Sequence, residues 1–162
     1  MAKPGLYKAL ENVEATYADI VEISNDMLSE FLSPINSLVN EIRNSLAGLS
    51  AESVRDYMIR LQLRSYELSD IKEKSALKAQ CAAALKDEKY ARNFNEAEGT
   101  AAVKTNIALI ESSEEIVIEA LYEHVASLLK TKLDEVHRLI DSLKSILVSK
   151  MQEAKLAMNG ID

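Results

Sequence analysis

The sequence predicts an all-α protein built from long helices. Its 162 residues include only 4 Gly and 2 Pro. Together they make up about 4% of the chain, whereas this pair usually makes up roughly 12%. So few turn residues do not suit a sheet-rich fold. Between these breakers the apolar residues recur every three or four positions, as they do on one face of a helix. We expect long antiparallel helices in an elongated hairpin or bundle, which buries its remaining apolar stripes by forming an oligomer.

Residues 1–48 are predicted to form an N-terminal helical segment. Proline disfavours the helical conformation in the residue before it, so Pro34 predicts a break or kink at Ser33. Gly48 is the natural residue to cap the end of this segment, because glycine adopts backbone conformations that other residues avoid.

Residues 49–162 are predicted to form a long-helix hairpin or bundle in the same domain. Ser50 suits a helix N-cap, and nothing interrupts the helical pattern from Ala51 to about Arg92. A loop is expected at 93–100, followed by helix from residue 101 to about 159. Ser112 and Glu115 have the spacing of a capping box, which predicts that this last region is divided into two helices.

The final helical region contains a heptad seam, in which apolar residues alternate by four and three positions. The seam consists of Leu129, Leu133, Val136, Ile140, Leu143 and Leu147. It needs a partner helix, either the long middle helix of the same chain or another subunit. We assign it as an oligomer interface, on the hypothesis that the partner is a second copy.

The charges are unevenly distributed. The net charge is −7, yet residues 51–110 hold over half of the basic side chains. On a helical wheel most of the basic residues of the middle helix fall within one arc of about 120°, which we call the basic stripe. A phosphate backbone could bind such a stripe by releasing its counterions. The candidate nucleic-acid-binding residues are Arg60, Arg64, Lys74, Lys78, Lys89 and Arg92.

No constellation of residues predicts catalysis, a metal site or a cofactor. The chain has no phosphate-binding glycine motif and no zinc-protease motif, and its two histidines lack the Glu-x-x-His pattern of di-iron bundles. The only cysteine, Cys81, lies in an alanine-rich stretch and is predicted to be a packing residue. The sequence shows neither a signal peptide nor an apolar run long enough to span a membrane. We therefore expect a cytoplasmic protein that is not an enzyme.

Part of the chain resembles small all-helical proteins of tailed phages, in particular the UvsY-type recombination mediators. The resemblance is carried by Tyr57–Leu61, Lys72–Ala79 and the closing element Leu133–Ser145. It covers about residues 50–150 in the order of elements. That family assembles into rings, binds single-stranded DNA and helps to load a recombinase onto DNA coated with single-strand-binding protein. The resemblance implies a recombination or replication accessory in the host cytoplasm that binds single-stranded DNA through the basic stripe. Its protein partner would then be a recombinase or a single-strand-binding protein.

Two alternatives remain open. The chain could be a phage anti-defence inhibitor that binds or sequesters a host defence component through Glu111, Glu114, Glu115 and Glu119. It could instead be a structural or assembly protein of coiled-coil type, with no affinity for nucleic acid.

Overall fold

The structure, a computed structural model, describes the backbone of residues 4–159 and the side chains of residues 11–46 and 48–158. Four α-helices follow one another in this part of the chain. They are α1 (Pro4–Ser45), α2 (Ala51–Glu96), α3 (Ala101–Glu111) and α4 (Ser113–Asn159). A 3-10 turn, Leu46–Gly48, follows α1, and the described residues contain no strand. The prediction of an all-α protein with long helices is confirmed.

Helix α1 runs through Pro34 without interruption, so the predicted break at Ser33 is wrong, and the alternative of a kink there stays a prediction. A proline inside a helix lacks the N–H that would bond to the carbonyl four residues earlier, at a cost of about 3 kcal/mol. Leu28, Ile35 and Leu38 lie on either side of Pro34 and are buried. Their packing offsets the lost hydrogen bond, which is why the helix continues.

The connection from α1 to α2 agrees only partly with the sequence prediction. The backbone N–H of Ser53 donates a hydrogen bond of 3.0 Å to the Ser50 hydroxyl, so the predicted N-cap is confirmed. Gly48 lies in the 3-10 turn and does not have a positive φ. Its expected role as a left-handed helix cap is therefore wrong.

The second connection is shorter than expected, because α2 extends to Glu96 and the loop is limited to residues 97–100. Gly99 has a φ of 114° in this loop, a conformation that glycine alone adopts without strain. The predicted division between α3 and α4 at Ser112 is confirmed. The Ser112 hydroxyl, however, is buried and has no hydrogen-bond partner in the structure, so it does not form the predicted capping box.

The described residues divide into two compact units. Unit 1 contains residues 4–28 and 72–127, and unit 2 contains residues 29–71 and 128–159. Each unit takes residues from both sides of the predicted boundary at residues 48 and 49. That boundary therefore does not separate the two units.

Unit 2 has a core of large aliphatic side chains from three helices. The buried residues include Ile35, Leu38 and Ile42 of α1, Val54, Leu61 and Leu68 of α2, and Leu129, Leu133, Val136, Ile140 and Leu143 of α4. Most of the predicted seam is thus covered within the single chain, and Leu147 is half-buried. Since these side chains are not available to a second copy, the assignment of the seam to an oligomer interface is corrected. The seam residues instead fit the other alternative, in which they pack against helices of the same chain.

Unit 1 has a core of small side chains. Its buried residues are Leu28, Val125, Ser24, Ser75, Ala79, Ala82, Ala108 and Ser112. Small side chains let helices approach closely, but they remove little apolar surface from water. Each Å² of apolar surface that is buried stabilises a fold by about 25 cal/mol. Unit 1 therefore depends more than unit 2 on the polar contacts between its helices.

Candidate functional site

The basic stripe in unit 2 is occupied by carboxylates of the same chain. The Arg60 guanidinium contacts Glu41 at 3.1 Å and Asp56 at 3.5 Å, and the Arg64 guanidinium contacts Glu67 at 2.7 Å. The hydrogen bond from Arg60 lowers the pKa of Glu41, because it stabilises the charged carboxylate. Arg60 and Arg64 therefore each contact an acidic neighbour, while their side chains remain 44% and 42% exposed.

In the part of the stripe that lies in unit 1, two of the cations contact carboxylates. The Lys89 ammonium donates to Glu115 at 2.8 Å, and the Arg92 guanidinium donates to Glu88 at 2.6 Å. The Lys78 ammonium lies 5.3 Å from the centre of the Tyr122 ring, within the range of a cation–π contact. Lys74 also makes a contact in the structure.

Phosphate binding by the stripe would therefore require exchange of partners. A nucleic acid would have to replace carboxylates at Arg60, Arg64, Lys89 and Arg92, which reduces the gain from counterion release. The arrangement does not favour this exchange. Binding of single-stranded DNA by the stripe stays a prediction.

Two cross-helix ion pairs join α2 to α4 in unit 1. The Lys86 ammonium contacts Glu119 at 2.6 Å, and the Lys89 ammonium contacts Glu115 at 2.8 Å. The hydrogen bond to Glu119 raises the pKa of Lys86, and the hydrogen bond from Lys89 lowers the pKa of Glu115. These pairs supply the polar contacts on which the small-residue core of unit 1 depends.

The lowered pKa of Glu115 predicts a defined pH dependence. The ionised Glu115 carboxylate stabilises the fold fully at pH values above its ordinary pKa of 4.5. This stabilisation is lost as the pH falls through the lower pKa that Glu115 has in the folded protein. We expect Glu115→Gln to be less stable than wild type in urea at pH 7, and the difference to shrink below about pH 4.5. Glu114→Gln is the matched control, because it removes the same charge from an exposed position in the same turn of α4. Equal effects of the two variants at every pH would contradict the assignment.

An apolar groove lies between α2 and α4 in unit 1. Its volume is about 250 Å³, and it is lined by Lys78, Cys81, Ala82 and Leu85 of α2 and by Glu115, Ile118 and Tyr122 of α4. Leu85 and Ile118 are exposed, and the lone thiol of Cys81 is exposed as well. The prediction that Cys81 is a packing residue is therefore wrong. We call this feature the α2–α4 groove.

A second apolar surface lies on α2 in unit 2. Ile59, Leu63 and Tyr66 are spaced by four and three residues, so they share one helix face. All three are exposed, by 59% to 67%. Single exposed apolar residues are common, and a row of three large ones on one face makes this surface a candidate for contact with another chain.

Sequence reasoning missed the α2–α4 groove, although one signal for it was present. Leu85 falls inside the arc that the helical wheel assigns to the basic stripe. An apolar residue on a charged face indicates a contact with something other than solvent. Ile118 and Tyr122 could not be placed beside Leu85 from the sequence, because their proximity depends on how α4 packs against α2.

Other kinds of chemistry have little support in the described residues. Among them, no group of three or more His, Cys, Asp or Glu side chains is placed to hold a metal ion. No helix of the described part is both long and apolar enough to cross a membrane. Comparison of the chain with protein families, curated proteins and solved structures finds no match. The resemblance to UvsY-type mediators therefore stays a prediction.

Proposed function

We propose that this chain is a non-catalytic structural or assembly protein that acts by binding other protein chains. The observation that carries the proposal is a contrast between two kinds of surface. The cations of the basic stripe contact groups of the same chain, whereas large apolar side chains are exposed in rows and around a groove. Such surfaces favour a protein partner over a nucleic acid.

The partner that fits the α2–α4 groove is an amphipathic helix of another protein. The volume of about 250 Å³ is below that of typical small-molecule pockets, about 300–1,000 Å³. It suits one or two apolar anchor side chains of a helix laid along the groove. Lys78 and Glu115 also line the groove, where they contact Tyr122 and Lys89 of the same chain, so the apolar side chains are what the groove offers to a partner.

An antiparallel arrangement of the long helices is part of this proposal. Lys86 pairs with Glu119 of α4. Lys89 comes later on α2, but its partner Glu115 comes earlier on α4. This order supports helices that run in opposite directions in unit 1. Two such helices side by side create a groove with parallel walls, which a third helix could enter.

Anti-defence activity has less support from the geometry. Of the four carboxylates that the sequence offers to a basic partner, Glu115 and Glu119 contact Lys89 and Lys86. Glu111 and Glu114 are exposed. A basic partner would meet a face that is half neutralised, so this alternative stays a prediction.

The test is site-specific photo-crosslinking in the cells that express the protein. We expect a photoreactive residue in place of Leu85 to capture a protein that one in place of Ile110 does not. Ile110 is the control because it is an exposed apolar residue of the same unit outside the groove. The captured protein, once purified, should bind Leu85→Glu about tenfold or more weakly than wild type, while Ile110→Glu binds normally.

Two results would contradict the proposal. One is equal crosslinking from both positions, or equal affinity of the partner for both variants. The other is tight, salt-sensitive binding of a labelled poly-dT strand that Lys78→Glu weakens without loss of helicity. That result would support the mediator-like function instead.

A further inference from the structure

A cavity of about 460 Å³ lies between α1 and α4 in unit 2. Its volume falls within the range of typical small-molecule sites, about 300–1,000 Å³. Two kinds of side chain line it. Isoleucine, valine and leucine side chains provide an aliphatic surface, and amide and charged side chains of the two helices lie beside that surface. We call this feature the α1–α4 cavity.

The aliphatic surface of the cavity consists of Ile35 and Val39 of α1 and of Val136 and Leu139 of α4. Ile35 and Val136 are 1% and 2% exposed, so they close the cavity on the side of the core. Val39 and Leu139 are half-buried, so part of their apolar surface is open to a ligand. Covering that part removes it from water, which favours a ligand with an apolar body.

A polar row lines the α1 side of the cavity. It consists of Asn36, Asn40 and Arg43, which are spaced by four and three residues and therefore share one face of the helix. All three are exposed, so a ligand in the cavity can reach them. In the part of the chain that the structure describes, none of the three side chains forms a hydrogen bond or an ion pair. The row thus offers amide and guanidinium donors that no described group uses.

The charged side chains that line the cavity leave one cation unpaired. The Lys132 ammonium donates a hydrogen bond of 2.7 Å to Glu135 of the same helix, so these two charges balance each other. Arg43 is the remaining charged residue of the lining. Its guanidinium can bind a carboxylate or a phosphate through two parallel N–H donors. The lining therefore complements one negative charge.

We propose that the α1–α4 cavity binds a small organic anion, whose carboxylate or phosphate head group lies beside Arg43 and whose aliphatic body covers Val39 and Leu139. The amides of Asn36 and Asn40 donate hydrogen bonds to polar atoms of this ligand. An inorganic anion would leave the aliphatic surface open, and a neutral or cationic molecule would leave the guanidinium unpaired. The site does not depend on the proposed function, because it lies in unit 2 and shares no residue with the α2–α4 groove.

The test is titration of the isotope-labelled protein with octanoate and, separately, with octyl phosphate, followed by NMR. The two probes share one aliphatic chain, so they distinguish a carboxylate ligand from a phosphate ligand. With at least one of them we expect saturable shifts of the backbone amide signals of Asn36, Asn40 and Arg43. Octylamine has the same chain and the opposite charge, and inorganic phosphate has no chain. Both should bind about tenfold or more weakly than the better anionic probe.

Two variants test the role of the unpaired cation. Arg43→Gln removes the charge at an exposed position, and Asn40→Asp keeps the shape of the side chain but places a carboxylate one turn from Arg43. We expect both variants to keep the helicity of wild type and to bind the better anionic probe about tenfold or more weakly. Arg138→Gln is the matched control, because Arg138 is an exposed arginine of α4 in the same unit and does not line the cavity.

Four results would overturn the proposal. Neither anionic probe gives saturable shifts, or octylamine or inorganic phosphate binds as tightly as the better anionic probe. Arg43→Gln retains the affinity of wild type, or Arg138→Gln loses as much affinity as Arg43→Gln does. The last of these results would show that the probe responds to the overall charge of unit 2 and not to the lining of the cavity.

Discussion

Replacing Leu143 by alanine is expected to lower the free energy of unfolding by about 2–5 kcal/mol. Leu143 is 1% exposed in the aliphatic core of unit 2, so the change removes buried apolar surface and leaves a cavity. The effect is large because the surrounding leucines and isoleucines cannot collapse fully into the space. Urea denaturation followed by circular dichroism measures it.

The same experiment tests whether the seam packs within one chain. If the seam packs within one chain, the difference in unfolding midpoint between wild type and Leu143→Ala is the same at every protein concentration, whereas for a seam between subunits this difference changes with concentration. Val148→Ala is the matched control, because Val148 is exposed on the same helix and its loss should change stability by about 0.5 kcal/mol or less. Similar effects of the two substitutions would contradict the burial of Leu143.

Replacing Pro34 by alanine is expected to raise the free energy of unfolding by about 1–3 kcal/mol. Alanine restores the backbone N–H that proline lacks, so the hydrogen bond to the carbonyl of Glu30 can form in α1. The gain is limited because alanine also leaves the unfolded chain more freedom than proline does. Thermal unfolding of the two proteins measures the difference.

The control for Pro34→Ala is Ser37→Ala, an exposed position on the same helix. Alanine has a higher helix propensity than serine, so Ser37→Ala should raise the free energy of unfolding by about 0.5 kcal/mol or less. A loss of stability in Pro34→Ala would show that Ile35 and Leu38 reach the core only because proline bends the helix. In that case the proline would be part of the packing and not a cost to it.

The helices could be predicted from the sequence because their signals are local. The spacing of apolar residues and the Ser50 cap depend only on near neighbours, and they placed the start of α2 at Ala51 correctly, although α2 ends at Glu96 and not near Arg92. Pro34 was misjudged because the compensation for its lost hydrogen bond comes from Ile35 and Leu38 in a core formed by distant segments. A local rule cannot include that contribution.

The surfaces were harder to predict, because they depend on which side chains meet across helices. The wheel placed Arg60 and Lys89 on one arc but could not show that Glu41 and Glu115 lie against them. Nor could it tell which subunit would cover Leu143. The pattern indicates that a face is apolar or basic, and only packing decides which part of that face remains exposed.

Residues 11–19 of α1 are all exposed, which has a practical consequence for peptide mapping. No lysine or arginine occurs between Lys8 and Arg43, so trypsin has no cleavage site along this stretch, however accessible it is. Resistance to trypsin here would therefore say nothing about whether the helix is covered. A protease that cleaves after glutamate finds Glu11, Glu14 and Glu22 on exposed positions, so its rate of cutting reports when this surface becomes protected.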